Sequence, residues 1–228
     1  MRYHSMEYRI SDRMKPLRGS AIREIFKYAA DPEVISLAGG NPDPALFPKD
    51  ALADIAARVL REQPVTALQY GITEGYGPLR EAIRERIARV ERIGTPEDEF
   101  VVMSGGQQGI ELTAKVLLNA GDTVIVEEPS FIGATNAFRS YGAHLVGVPV
   151  QEDGMDLDAL EQAIAANRNV RLIYTIPNFQ NPMGVTMSLE KRRRLYDIAC
   201  RHRILILEDN PYGELTFDGV RVPSVKSM

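Results

Sequence analysis

Residues 174–184 read YTIPNFQNPMG, with Asn178, Gln180 and Asn181 set between Pro177 and Pro182 directly after the apolar run 172–176. Neutral amides in a shaped loop hydrogen-bond without adding charge, the kind of contact that orients an oxygen on a ring. Residues 204–213, ILILEDNPYG, place Glu208 and Asp209 at the end of another apolar run, with the phenol of Tyr212 three residues on. A carboxylate buried there is costly without a partner. A cationic ring nitrogen would be one such partner, and a cap on the following segment would be another. SGGQQG, residues 104–109, turns tightly at Gly105 and Gly106 into a helix whose first N–H groups suit a phosphate or carboxylate. Such a turn by itself assigns nothing, because it also serves simply to reverse the chain. It is neither a Walker loop nor a dinucleotide G-x-G-x-x-G fingerprint. In EEPSF, residues 127–131, Phe131 either stacks on a flat ligand or joins the core. Taken together these groups describe a site for a flat, phosphorylated, protonated heteroaromatic, and pyridoxal phosphate has each of those properties.

The elements between these loops are those needed to bring them to one place. FVVMSG (100–105), TVIVEE (123–128), HLVGVPV (144–150), VRLIYTIP (170–177) and ILILEDN (204–210) read as strands separated by helical segments. The helices between them are expected over 106–121, 130–142, 155–166 with Asp156 as N-cap, and 188–202 with Ser188 as N-cap. Runs such as Ile204-Leu205-Ile206-Leu207 do not alternate, as expected of strands covered on both faces. The fold class is therefore α/β, a three-layer αβα arrangement around a mostly parallel sheet. In such a sheet ligands sit at the carboxyl ends of the strands, where all four loops fall. Ahead of this region two helices are expected. One has Leu52, Ile55, Val59 and Leu60 on one face; the other runs from Pro78 to a Gly94 cap with Leu79, Ile83, Ile87 and Val90 at helical spacing. Residues 1–48 read as an irregular arm with a short helix over 20–30, and 49–228 as part of a large cofactor-binding domain.

Composition narrows the class. The chain has 228 residues, 44% hydrophobic and 25% charged, with a formal charge of −4. That is ordinary for a globular domain and gives no electrostatic ground for nucleic acid binding. No run is apolar enough to span a membrane, and the N-terminal 19 residues lack an apolar signal core, so the expected location is cytoplasmic. Cys200 stands alone, which fits a reducing compartment. Cys200 and His202 are near each other, but His4 and His144 are remote, so no metal-site spacing is present.

With these residues in hand, the chain resembles the class I and II aminotransferases of fold type I, in the branch that includes 2-aminoadipate and aromatic aminotransferases. SLAGGNPDP, LQYGITEGYGPLREAI, SGGQQG, EEPSF, PNFQNPMG and EDNPYGEL occur in the family's order from about Arg13 onward. The resemblance implies pyridoxal 5'-phosphate as cofactor, with Gly105, Gly106 and Gln107 on its phosphate and Phe131 stacked on its ring. It implies Asp209 on the ring nitrogen, keeping it protonated so that the ring acts as an electron sink. Asn181 and Tyr212 would bond the ring's phenolic oxygen, and Asn181 would also touch the substrate carboxylate. Tyr70 would reach the phosphate of a neighbouring copy, making the working unit a homodimer. Gly40 would line the substrate pocket, and Arg23 would meet a distal substrate carboxylate. The resemblance also implies cis peptides at Glu128–Pro129 and Asn181–Pro182.

The implied activity is transfer of an amino group between an amino acid and a 2-oxo acid. β-Lyase or decarboxylase chemistry on the same cofactor, or a non-catalytic domain that binds it, would use the same ring contacts. The sensor domain of a transcription regulator is a further reading, disfavoured because the arm begins almost at Met1 and no basic patch is present. One family feature is missing. The Schiff-base lysine, which sits in a Ser-x-Ser-Lys type motif, has no counterpart among Lys15, Lys27, Lys49, Lys115, Lys191 and Lys226. Lys226 precedes the strand that would carry it and lacks the motif. The arginine for the α-carboxylate and the C-terminal small domain are also expected beyond Met228. The expectation is thus an N-terminal portion of a longer enzyme, inactive by itself.

Overall fold

A computed structural model describes residues 8–15, 17, 34–35, 40 and 42–228. The expected helix over 20–30, including Arg23, lies outside the described residues. The chain divides into two compact units, one of Met1–Arg18, Ala82–Glu99 and Met103–Met228, the other of Gly19–Glu81 and Phe100–Val102.

Among the described residues ahead of the sheet, the α-helices are α1 (Lys49–Glu62), α2 (Pro64–Leu68) and α3 (Gly77–Glu91). Helix α1 forms where the apolar spacing places it, but Leu52, Ile55 and Leu60 stay exposed. The short α2 carries no recognisable apolar stripe; its start is marked by Pro64 at the first helical position, a residue pre-set for that role.

The sheet-bearing unit continues with α4 (Gly106–Leu117), β1 (Thr123–Glu128), α5 (Ile132–Ser140), β2 (His144–Gln151) and β3 (Gly154–Met155). Then come α6 (Leu157–Ala166), β4 (Val170–Thr175), α7 (Leu189–His202) and β5 (Leu205–Glu208). Strand order is β3-β2-β1-β4-β5, parallel throughout except for the antiparallel β2–β3 pair. The two expected caps form: Asp156 accepts from the N–H groups of Asp158 and Ala159, and Ser188 from that of Lys191. Each satisfies N–H groups that the first turn of a helix leaves without an internal acceptor.

The segment 100–105, expected as a strand, is not one. A strand needs a neighbour to share its N–H and C=O groups. Here the Val102 N–H instead bonds the Glu74 carbonyl, and no described strand lies alongside. The fifth strand of the sheet is the two-residue β3.

Alternation along the strands builds two cores. Val124, Val126, Leu172 and Tyr174 face α4 and α5, packing with Ile110, Ala114, Ala134 and Phe138. Ile125, Ile173 and Ile206 face α6 and α7, packing with Leu160, Ile164, Leu195 and Ile198. The result is three layers, helices on both faces of the sheet. Gly154 is pinned into the second core: it has φ +111° and its Cα faces Met187, whose Cγ and Cα would lie 2.7 and 2.9 Å from an added Cβ. Gly154→Ala is expected to lower the unfolding free energy by about 2–3 kcal/mol, from overpacking against backbone and a disfavoured φ, read from urea unfolding.

Candidate functional site

The parallel strands β1, β4 and β5 end side by side, with Val126 opposite Tyr174 and Thr175 opposite Glu208. Beyond them the Asp209 N–H bonds the Thr175 carbonyl, the last rung of the ladder. Period-two alternation then sends Glu208 and Asp209 to opposite faces of the sheet.

On the α6/α7 face, the two carboxylate oxygens of Glu208 accept from the Val225 and Lys226 N–H groups, both at 3.0 Å. Glu208 is the cap. On the other face Asp209 Oδ2 accepts from Tyr174 Oη at 2.8 Å. Burial pushes the Asp209 carboxyl above its ordinary value, and the Tyr174 hydrogen bond pulls the other way. Burial also pushes the Tyr174 phenol up, reinforced by the neighbouring Asp209 charge. Both acids thus have partners within the chain, Glu208 the Val225 and Lys226 N–H groups and Asp209 the Tyr174 hydroxyl.

Tyr174 itself was not singled out by the sequence. It is fully buried, stands edge-on to Phe138 with ring centroids 5.6 Å apart, and aims its hydroxyl at Asp209. A tyrosine inside an apolar strand run, three residues before a loop rich in amides, is the pattern that could have found it, since buried tyrosines usually place their hydroxyl on a polar partner.

The loop 177–184 lies beside this acid. Asn181 Nδ2 donates to Tyr212 Oη at 3.1 Å, joining two of the expected site residues. The Asn181–Pro182 and Glu128–Pro129 bonds are both cis. Gln180 ties the loop inward, donating from Nε2 to Glu127 Oε2 at 3.0 Å and to the Pro129 carbonyl at 2.9 Å. Glu127, only 1% exposed, also accepts from Thr175 Oγ1 and the Ile176 N–H.

The glycine turn behaves as the sequence suggests. Gly105, at φ +87°, precedes the first turn of α4, and a Cβ at Gly105 or Gly106 would meet nothing within 4 Å. Gln107 donates from Nε2 to the Gly133 carbonyl at 3.1 Å. An added Cβ on Gly133 would lie 2.5 Å from the Phe131 ring and 2.4 Å from Gln107 Oε1, so those side chains flank one point. Phe131 is half-buried and packs against the same core as Tyr174 and Tyr212.

Of the other expected residues, Tyr70 is fully exposed, Gly40 is exposed, and Arg23 lies outside the described residues. Lys226 Nζ is committed to Asp98 at 2.7 Å, which with the Thr95 backbone holds the Asp98 carboxyl down at about 2. Lys191 Nζ is paired with Asp153 at 2.6 Å. Among the described residues no group of three or more His, Cys, Asp or Glu is placed to hold a metal ion, and no helix is long and apolar enough to cross a membrane.

Residues 32–227 match the family model for aminotransferase class I and II. Among curated proteins, aromatic-amino-acid aminotransferase 1 of Thermococcus litoralis is 38% identical over 95% of this chain and 53% of its own length. The 2-aminoadipate transaminase of Thermus thermophilus is 43% identical over 92% of this chain and 51% of its own. Among solved structures, LysN, the alpha-aminoadipate aminotransferase of Thermus thermophilus complexed with N-(5'-phosphopyridoxyl)-L-leucine, superposes with a TM-score of 0.84 at 40% identity. That match covers 96% of this chain and 53% of LysN. The chain spans about half the length of the curated relatives it matches. A family match that runs through all five described strands makes this chain a member of the aminotransferase class I and II family.

Proposed function

We propose that this chain supplies the cofactor pocket of a pyridoxal-phosphate-dependent aminotransferase acting between an amino acid and a 2-oxo acid. The observation that carries the reading is Asp209: a half-buried carboxylate with a phenol as its hydrogen-bonded neighbour, beside the Asn181–Tyr212 pair. Desolvation raises its pKa, and a cationic ring nitrogen would relieve that cost. The other residues fit the same group. Gly105 and Gly106 leave room for a phosphate at the start of α4, and Phe131 offers an aromatic face. Asn181 and Tyr212 offer an amide and a phenol to a ring oxygen.

When bound, the cofactor supplies an electron sink for charge developed at the substrate carbon. The chain's own part is to bind and orient. Asp209 holds the ring nitrogen's proton, Tyr174 holds Asp209 in place, and Gly105, Gly106 and Gln107 take the phosphate. Arg23 and Gly40 are assigned to the substrate side. Lys191 and Lys226 are engaged with Asp153 and Asp98, so proton transfer at the substrate carbon is not assigned to either, and the 228-residue chain is expected to bind without turning over. A cytoplasmic homodimer in amino acid metabolism, with the exposed Tyr70 reaching a second copy, completes the proposal.

Titrating pyridoxal 5'-phosphate into the chain tests it. A saturable change in cofactor absorbance is expected, weakened about ten- to a hundredfold by Asp209→Ala, the range for losing a hydrogen bond to a charged group. No saturable change with the unsubstituted chain would sink the reading.

A further inference from the structure

A line of polar side-chain contacts runs from the interior at Arg192 through Asn178 to the exposed Asn210. Arg192, wholly buried on α7, donates from Nη2 to Asn178 Oδ1 at 2.6 Å. Arginine only donates, so this contact fixes the Asn178 amide with its oxygen toward α7 and its NH₂ group outward. That group donates to Asn210 Oδ1 at 2.8 Å. Asn210 follows Asp209 and opens the turn that carries Tyr212. Gly213 leaves space for it: a Cβ there would lie 2.4–2.8 Å from the Asn210 amide atoms.

The two loops meet twice through side chains, at the base through Asn178–Asn210 and at the rim through Asn181–Tyr212. Among the described residues the backbone rungs between them end at Asp209 and Thr175. Side chains must therefore set the spacing beyond that point.

We infer that Arg192, Asn178 and Asn210 form a positioning relay that fixes the Asp209–Tyr212 turn against the Asn181 loop. None of the three is assigned a ligand contact. The ligand half of this inference rests on the proposed cofactor pocket; the geometric half does not.

Two substitutions at one position separate the relay from simple packing. Asn178→Ala removes the link. Asn178→Asp keeps it with reversed polarity: one carboxylate oxygen accepts from Arg192, and the other accepts from Asn210 once that amide rotates. The test is amide hydrogen exchange across the 228-residue chain, together with pyridoxal 5'-phosphate titration. In Asn178→Ala, amides of 209–215 are expected to exchange about tenfold faster and cofactor affinity to fall about tenfold, the loss expected from breaking the part-buried Asn178–Asn210 hydrogen bond that ties the turn. β1 and β4 should be unchanged. Asn178→Asp should stay within about threefold of the unsubstituted chain on both readouts.

The relay is overturned if Asn178→Ala exchanges and binds as the unsubstituted chain does. It is equally overturned if Asn178→Asp is as damaged as the alanine variant, or if exchange accelerates uniformly through β1, β4 and the turn. Should exchange follow the expected pattern while the unsubstituted chain takes up no cofactor, the relay stands and the cofactor reading falls.

Discussion

Arg192→Ala is expected to lower the unfolding free energy of the chain by about 3–5 kcal/mol, the range for removing one member of a buried, fully hydrogen-bonded charged set. The side chain is wholly buried in α7, and among the described residues its hydrogen-bond partners are carbonyl and amide oxygens rather than a carboxylate. Its donors go to oxygens on three separate stretches. Nε bonds the Met187 carbonyl at 2.9 Å, and Nη1 the Val222 and Pro223 carbonyls at 3.4 and 3.1 Å. Nη2 bonds the Pro177 carbonyl and Asn178 Oδ1 at 2.9 and 2.6 Å. Burial pushes the guanidinium pKa down, while the charges of Glu208 and Glu91 push it up; an arginine remains charged through this at neutral pH.

The cost of the substitution lies in what it strands. Carbonyls packed around a vanished guanidinium lose their donors without regaining water, and each buried unsatisfied group costs about 1–3 kcal/mol. Arg192→Met fills the volume but rescues none of these acceptors, so it is expected to recover less than about half the loss. Arg192→Lys carries the charge as a point with three donors and cannot span the fork, so it too should stay well below the unsubstituted chain. Urea unfolding of the three variants decides the matter. A loss under about 1 kcal/mol in Arg192→Ala would show that water or a shifted loop replaces the guanidinium.

Arg192 also shows where the sequence stops being readable. Its helix was legible from the Ser188 cap, but the run Arg192-Arg193-Arg194 offers no local feature that distinguishes its members. Only the tertiary position separates them. Arg194 sits at the surface with Asp158 and Glu161, while Arg192 lies in the interior. The strand ends and their loops were legible because apolar runs broken by Pro, Gly and amides leave few alternatives. What each polar residue does there was not, because one residue of register decides it. Glu208 and Asp209 are adjacent acids in the sequence, and the alternation of β5 sends one to the Val225 and Lys226 N–H groups and the other to the Tyr174 hydroxyl. The segment 100–105 has strand composition yet forms no ladder, since pairing depends on a neighbour that local sequence does not contain.

Glu127 is another buried charged residue, and its removal is expected to cost about as much: Glu127→Ala should lose about 3–5 kcal/mol. Its carboxylate receives Thr175 Oγ1 at 2.6 Å, the Ile176 N–H at 3.1 Å and Gln180 Nε2 at 3.0 Å, so alanine strands three donors at the root of the 177–184 loop. Desolvation raises its pKa above the usual carboxylate value, only partly opposed by hydrogen bonds from Thr175, Ile176 and Gln180. A raised folded-state pKa means that the native state holds the proton more tightly than the unfolded chain. The stability this group contributes is therefore fully present below the unfolded value, about 4.3, and is lost as pH rises through the folded value. Glu127→Gln cannot titrate. Its amide oxygen accepts from Ile176 and Gln180 while its NH₂ donates to a rotated Thr175 hydroxyl, so the network stays closed. Relative to the unsubstituted chain, Glu127→Gln is thus expected to become progressively more stable as pH rises from about 4 toward 7. Urea unfolding of both chains at several pH values measures the gap. A gap that stays constant with pH would mean that Glu127 has the same proton affinity folded and unfolded, and the buried-anion account of this loop would fail.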